Sequence, residues 1–438
     1  MTVKSLLLAG GTLLVGAQAA SASGFQVNLG GQKNNGMGGV GVGLSLDQAA
    51  MFYNPGALAM VRENGVQLGA NFALARVSFR SADGGPQREL EDQPIVYPFN
   101  FYASFGPKDG NFRAGLAVYT PYGSSLSYGS SWEGRYSLTE ITLRSVYVQP
   151  TASYAITPTL SVGAGLTILV GGSVNLQRDL PLPTGDGHIE LDGKAKTKFG
   201  YNAGIFFKPS DKLSVGVSYR SKINAQVENG DVTLSGLPTA GGASAPVTAQ
   251  FTATSFGATL PLPALASIGI GIMPTDKLTV GLDASLTFWS DYRNLDFTFS
   301  GNNGNAGPST DANSGLVGNR TFSSSKRSYQ DALTFRLGGQ YELDEKLTVR
   351  AGAALDLTAV KDGYVTPETP DADRTILTAG LSYNLSENFG IDASYQFNSF
   401  KERSQTQQDL LDNGTADRVA GTYKTNIHIP GIGLHYKF

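Results

Sequence analysis

From Gly65 onward the chain repeats one rhythm: a run of alternating apolar and polar residues, a short polar connection, a second such run, then a long connection. Alternation at period two puts one kind of side chain on each face of a β-strand. The short connections fall at 106–110, 157–159, 208–212, 273–277, 342–346 and 384–388, and are built from residues that fix φ or bond their own backbone. The long ones, at 81–93, 123–141, 178–193, 227–246, 301–326, 362–371 and 401–422, are richer in Ser, Gly and Asp. Strict short–long alternation is the up-and-down plan of an outer-membrane barrel, with short periplasmic turns and long outer loops. The segments number about fourteen, an even count. They begin near Gly65, Pro94, Asn111, Thr142, Thr159, Lys194, Lys212, Gln250, Lys277, Arg327, Lys346, Asp373, Phe389 and Tyr423.

Composition narrows the alternatives. Charged residues are 16% of the 438, against roughly 25% in soluble domains. Hydrophobic residues reach only 41%, and past the N-terminus no stretch holds 18 continuous apolar residues, so a helical membrane protein is excluded. Such a chain can lie in a bilayer only as a closed barrel. A soluble β-sandwich also alternates, but it has no reason for so regular a loop rhythm. Fifty-five glycines suit tight turns and close packing, while 19 Tyr and 22 Phe suit interfacial girdles. The absence of Cys removes disulfides, thiolate metal sites and a Cys nucleophile. A net charge of -3 gives nucleic-acid binding no electrostatic support. The fold class is therefore all-β, an antiparallel transmembrane barrel of about 14 strands.

The two termini add signals of their own. Lys4, the apolar run 6–15 and Ala20-Ser21-Ala22 read as a secretory signal over residues 1–22, with Ala17-Gln18-Ala19 as a competing cleavage site. Residues 23–62 do not alternate. They are rich in Gly between Gly36 and Gly43, and are expected to form a compact non-strand element with one or two short helices before the barrel at 63–438. The last strand carries Ile432, Leu434, Tyr436 and Phe438 on one face and Gly, His and Lys on the other. A closing strand with a terminal aromatic resembles the signal read by the barrel-assembly machinery, which assigns Tyr436 and Phe438 to assembly.

Catalysis has little to stand on. His188, His428 and His435 are the three histidines, and they show no H-x-x-x-H or H-E-x-x-H spacing. No G-x-S-x-G sequence sits in a strand-turn-helix context. The Gly-rich stretch lacks a full dinucleotide fingerprint. No enzyme activity, cofactor or metal is expected. Proline is more informative. It cannot donate to a strand ladder, and a closed barrel has no edge to host it. Yet Pro121 ends the alternating run 112–119, with Gly123 close behind, and Pro150 interrupts 146–154. A ladder break at Thr120, Pro121, Tyr122 and Gly123, facing Asn54-Pro55-Gly56, is one reading; Pro121 as the mere start of an outer loop is the other.

Several motifs occur in a shared order: Ser23-Gly24-Phe25-Gln26-Val27-Asn28, Gly36-Met37-Gly38, Phe52-Tyr53-Asn54-Pro55, Thr120-Pro121-Tyr122-Gly123, and Trp132-Glu133-Gly134-Arg135-Tyr136. Val215-Gly216-Val217-Ser218-Tyr219-Arg220-Ser221, Leu260-Pro261-Leu262-Pro263, Trp289-Ser290-Asp291 and Pro370-Asp371-Ala372-Asp373-Arg374 follow. Together they resemble the FadL family of long-chain fatty-acid and hydrocarbon transporters, over nearly the whole mature chain. The resemblance implies fourteen strands plugged by an N-terminal hatch (23–62), and lateral exit of the ligand through a gap at a kink in the third strand, where Pro121 falls. Asn54-Pro55-Gly56-Ala57-Leu58 departs from the family's Asn-Pro-Ala-Gly-Leu while keeping small residues. The likeness places a head-group cation at Arg178, and another near Lys326 and Arg327. The other reading of these cations is contact with lipopolysaccharide. Ligand bound beside Phe25 is expected to move Gly24 and Phe25, so Gly24, Asn54, Pro55 and Gly56 are the hatch residues to watch. The expected partners are a hydrophobic small molecule, outer-membrane lipid with its lipopolysaccharide, and the assembly machinery, for a monomer in the outer membrane. A general porin for polar solutes and a surface adhesin are the competing functions.

Overall fold

The computed structural model describes residues 24–182, 185–237, 253–301, 322–415 and 417–438. The secretory-signal expectation for 1–22 lies outside the described residues. Fourteen antiparallel barrel strands follow in order, several of them in two pieces. They are β1 (Gly65–Asn71, Leu74–Ser81), β2 (Arg88–Glu89, Phe99–Phe105), β3 (Phe112–Tyr119, Gly123–Ser127), β4 (Glu140–Thr157) and β5 (Leu160–Leu182). Next come β6 (Gly185–Lys194, Lys198–Ser210), β7 (Leu213–Arg220, Ile223–Ser235), β8 (Ala253–Leu262, Leu265–Thr275) and β9 (Leu278–Thr287, Asn294–Gly301). The last five are β10 (Phe322–Lys326, Ala332–Glu342), β11 (Leu347–Asp356), β12 (Arg374–Asn384), β13 (Phe389–Phe400, Arg403–Gln405) and β14 (Gly421–Lys437). β14 pairs back onto β1, Tyr436 opposite Val66 and Leu434 opposite Leu68, and closes the cylinder.

The wall is inside out relative to a soluble sandwich. Along β8, Ile268, Ile270 and Ile272 are exposed, while the alternate Ser267 is buried. Asn202, Arg220, Asp283, Thr334 and Asp392 are buried, whereas Leu68, Phe335, Leu337, Leu377, Leu381 and Leu434 are exposed. An apolar outer face of this extent is a surface for hydrocarbon, not water. Phe105, Phe112, Tyr154, Tyr341, Tyr383, Tyr436 and Phe438 stand exposed near the short turns, as one aromatic girdle.

Two expectations are corrected. Of residues 178–193, read as a loop, 178–182 and 185–193 instead extend the wall, Arg178 pairing with Ile189 and, just before, Leu176 with Leu191. The Gly and Asp that suggested a loop lie among inward apolar residues, Leu180, Ile189 and Leu191, all buried in one cluster. Pro150 does not break its strand either. It pairs with Leu116, and the cost is a gap in the β4–β5 ladder between Val148–Ile168 and Thr151–Gly165.

The segment before the barrel is folded into the short-turn half of the lumen. It holds two four-residue helices, α1 (Gln32–Asn35) and α2 (Ala50–Tyr53), and a 3-10 turn at Pro55–Met60. The helices are too short to stand alone, and the wall supplies what they lack. Asp283 of β9 accepts from Gly41 N (2.7 Å) and Val42 N (3.0 Å). Arg220 of β7 donates to Phe52 O (2.7 Å) and lies over the Phe52 ring. At Gly216 of β7 a Cβ would come within 1.8 Å of Val42 O, and at Gly338 of β10 within 2.0 Å of Met37 O, so only glycine lets wall and plug approach this closely.

Candidate functional site

The pairing of β2 with β3 runs from Phe105–Ala114 to Asn100–Tyr119 and then stops. Among the described residues the next backbone pairing between them is the single bridge Asp92–Ser127. Pro98 on one side and Pro121 on the other have no N–H to continue the ladder. Inside β3 the break is lined by other partners. Tyr122 N donates to Ser145 Oγ (3.0 Å), and that hydroxyl donates to Tyr122 O (2.7 Å). The residues from Gly24 onward take the remaining bonds. Val27 N donates to Pro121 O (2.8 Å), and Gly123 N donates to Phe25 O (3.1 Å). The N-terminal segment thus lies across the break from inside, as one short antiparallel strand.

Asn54-Pro55-Gly56 does not face this break, contrary to expectation. Asn54 Nδ2 donates to Val42 O and Ile205 O, each at 3.0 Å, and its Oδ1 accepts from Gly56 N (2.9 Å). Gly56 O accepts from Ser161 Oγ (2.7 Å). These bonds, with one from Ser153 Oγ of β4 to Gly56 O (3.2 Å), tie the three residues to β4, β5 and β6.

Phe25 is buried, edge-on to Trp289 (4.9 Å), Tyr122 (6.0 Å) and Tyr292 (6.3 Å). It separates two cavities. One, of about 1190 Å³ counting its open mouth, is lined by Val96, Pro98 and Gly123 at the ladder break. The other, of about 870 Å³, is an apolar chamber lined by Ile141, Leu143, Leu169, Leu176, Leu260 and Phe297. A third space of about 690 Å³ lies beside it and carries Arg178, Arg327, Arg418, Glu368 and Asp417. Leu176, Leu295, Phe297 and Glu368 line both. A space carrying three guanidiniums and an apolar chamber therefore adjoin.

The cations do not behave alike. Arg178 is half-buried and donates to Tyr136 O (3.3 Å). Arg327 is 3% exposed, donates to Ser325 Oγ (2.6 Å) and forms an ion pair with Glu368. Lys326 points elsewhere. It is exposed, donates to Asn413 O (3.3 Å) and does not line the space, because alternation turns it to the face opposite Arg327. Arg418, which sequence reasoning missed, is 7% exposed and donates from Nη2 to Lys326 O. Its Nε and Nη1 have no partner among the described residues. Burial lowers its pKa to about 10, so it stays charged at neutral pH. No motif marks Arg418 in the sequence; it sits in a loop among ordinary polar residues. Asp371 was quoted only as part of a motif. Its Oδ2 accepts from Gly24 N (3.1 Å) and Thr358 Oγ1 (2.8 Å), and burial pushes the carboxyl up to about 6.

Comparison with known proteins puts this geometry in context. The sequence profile of the family described as outer membrane protein transport protein (OMPP1/FadL/TodX) matches residues 13–438. Outer membrane protein P1 of Haemophilus influenzae is 23% identical over 433 residues, covering 90% of this chain and 87% of that protein. The long-chain fatty acid transport protein of Salmonella typhi is 23% identical over 415 residues, covering 89% and 90%. The crystal structure of a FadL homologue from Pseudomonas aeruginosa superposes with a TM-score of 0.77 at 22% identity, covering 95% of this chain and 100% of that one.

Proposed function

The chain belongs to the OMPP1/FadL/TodX family of outer-membrane transport proteins, and on that premise we propose that it admits amphiphiles with one carboxylate and a long apolar tail. The head binds among Arg418, Arg178 and Arg327, which line one space, and the tail lies in the chamber beside them. The carrying observation is Arg418: a buried guanidinium with two unfilled donors beside an apolar chamber. An orphaned buried charge is costly, and a carboxylate is its natural complement. Three guanidiniums face two carboxylates in that space, which leaves it short of one anion among the described residues. Passage is downhill diffusion, past Phe25 and out through the break between β2 and β3 into the lipid. A polar-solute porin is disfavoured by the plug, whose helices and turn fill the short-turn half of the lumen.

The test is equilibrium binding of labelled oleate and oleyl alcohol to the purified barrel in detergent. Arg418→Gln is expected to weaken oleate by about ten- to a hundredfold, the value of a charge-assisted bond, and to leave oleyl alcohol within about twofold. Arg178→Ala is expected to act in the same direction with a smaller loss. Equal weakening of both ligands would return the site to an unselective hydrocarbon pocket.

A further inference from the structure

Glu368 is placed where no solvated loop carboxylate would be. It lines all three cavities, and its side chain is 14% exposed against the 4% of its partner Arg327. The loop that carries it, between β11 and β12, is folded into the lumen: Tyr128 Oη donates to Pro367 O (2.9 Å) and Gln405 Nε2 to Val365 O (3.0 Å). Three residues after Glu368 comes Asp371, the acceptor for Gly24 N. The stretch between them is stiff. Thr369 N donates to Thr366 O (3.0 Å), Asp371 N donates to Thr369 O (2.8 Å), and Pro370 fixes its own φ. Only this short bonded turn separates the Glu368 backbone from Asp371.

We propose that Glu368 is the resident counter-ion which an incoming carboxylate replaces on Arg327, and that its departure loosens the hold of Asp371 on Gly24. The inference rests on the carboxylate reading of the head site and adds its consequence. Ligand charge, and not ligand bulk, becomes the signal that frees the N-terminal segment from the wall break.

Physical chemistry favours such an exchange. A head group on Arg418 brings a third anion into a cluster that already holds Glu368 and Asp417. The added repulsion falls on the carboxylate that has somewhere to go. Glu368 borders the open cavity, whereas Asp417 is held by Ser325 Oγ (2.9 Å) and does not border it. Replacing one carboxylate by another leaves Arg327 neutralised before and after, so the buried cation is never stranded. A ligand shifts an equilibrium only by the difference in its contacts with the two states. A carboxylate has that difference here; an alcohol of the same chain length lacks the charge to displace Glu368.

Trp289 provides the readout. The chain has two tryptophans, so Trp132→Phe leaves Trp289 as the sole one. Trp289 touches Phe25, and Gly24 lies so close that a Cβ there would fall 3.0 Å from the indole, yet Trp289 lines none of the three cavities. In the Trp132→Phe protein, saturating oleate is expected to change Trp289 emission, and saturating oleyl alcohol to give less than about a third of that change. Adding Glu368→Gln removes the competing anion, so oleate is expected to bind more tightly, by radiolabel, while the emission change is cut at least about threefold. Equal changes from oleate and oleyl alcohol, or an undiminished oleate response in Glu368→Gln, overturn the proposal. The two-ligand comparison needs only the Trp132→Phe protein, so it stands even if Glu368→Gln folds poorly. Failure of oleate to bind the parent at all is a different result, which sinks the carboxylate reading first.

Discussion

The two halves of the lumen are finished differently. In the short-turn half a run of direct bonds ties the plug to the wall: Asn54 to Ile205 O, Gly56 O to Ser161, Gly41 and Val42 to Asp283, Gly38 N to Thr378 Oγ1 at 2.8 Å. Wall glycines let the two backbones touch there. In the outer half the space is open, and Arg418 keeps two donors unfilled. The contrast teaches which parts are built to move. A plug held by this many buried bonds is a floor. In the proposed reading the door is Gly24 to Val27, which is bonded to a break in the wall, to Thr287 and to one carboxylate.

The strongest way to break that comparison is to unseat the floor. Gly216→Val puts a side chain where Val42 O now lies. The plug must lift while the barrel, held by its strand ladders, persists. Single-channel conductance in planar bilayers is expected to rise about tenfold or more, as an unplugged barrel of this size is a water-filled pore. A quiet channel in a folded Gly216→Val protein would mean the plug is not what blocks it. A gentler cut is Asp283→Leu, which strands two buried N–H groups at about 1–3 kcal/mol each. A clear drop in the urea midpoint is expected, without a steady open pore.

The outer half sharpens the comparison through pH. Asp371 has a pKa near 6 in the folded chain, above the ordinary 3.8. Between those values the folded protein keeps a proton that the unfolded chain has released. Its contribution is therefore most favourable below about pH 4 and is lost as pH rises through 6, about 3 kcal/mol in all. Wild type minus Asp371→Asn, measured by urea unfolding in detergent, should show this fall between about pH 3.5 and 6.5. A difference that grows more favourable with rising pH contradicts it. The neutral acid is also the weaker acceptor for Gly24 N, so the door should sit more loosely at pH 5.

Much of this was legible in the residues, and the limits are physical. Strand alternation and turn chemistry are local, so the fourteen strands and the closing β14 could be read in order. Arg178 and Arg327 were singled out, and the structure brings them to one space with Glu368. Lys326 was grouped with them by adjacency, although neighbours on a strand face opposite sides. Arg418 and Asp371 were missed as individual residues because their significance is created by burial and by distant partners; Gly24 and Asp371 are 347 residues apart. The loop at 178–193 was misread because a strand that rises past the membrane is polar on its outer face and loses the contrast that marks a wall.

Pro121→Ala should give the smallest effect. Alanine restores an N–H, and one net hydrogen bond is worth about 0.5–1.5 kcal/mol. Yet the break does not rest on that donor alone. Pro98 still interrupts β2, Tyr122 N is taken by Ser145, and Gly123 N by Phe25 O. The gap should narrow rather than close, and uptake of labelled oleate by cells carrying Pro121→Ala should fall about threefold. Complete loss would concentrate the exit on a single proline. No change would shift the weight to Ser145, whose hydroxyl holds the Tyr122 backbone out of the ladder, and Ser145→Ala with Pro121→Ala would then be the pair that closes the wall.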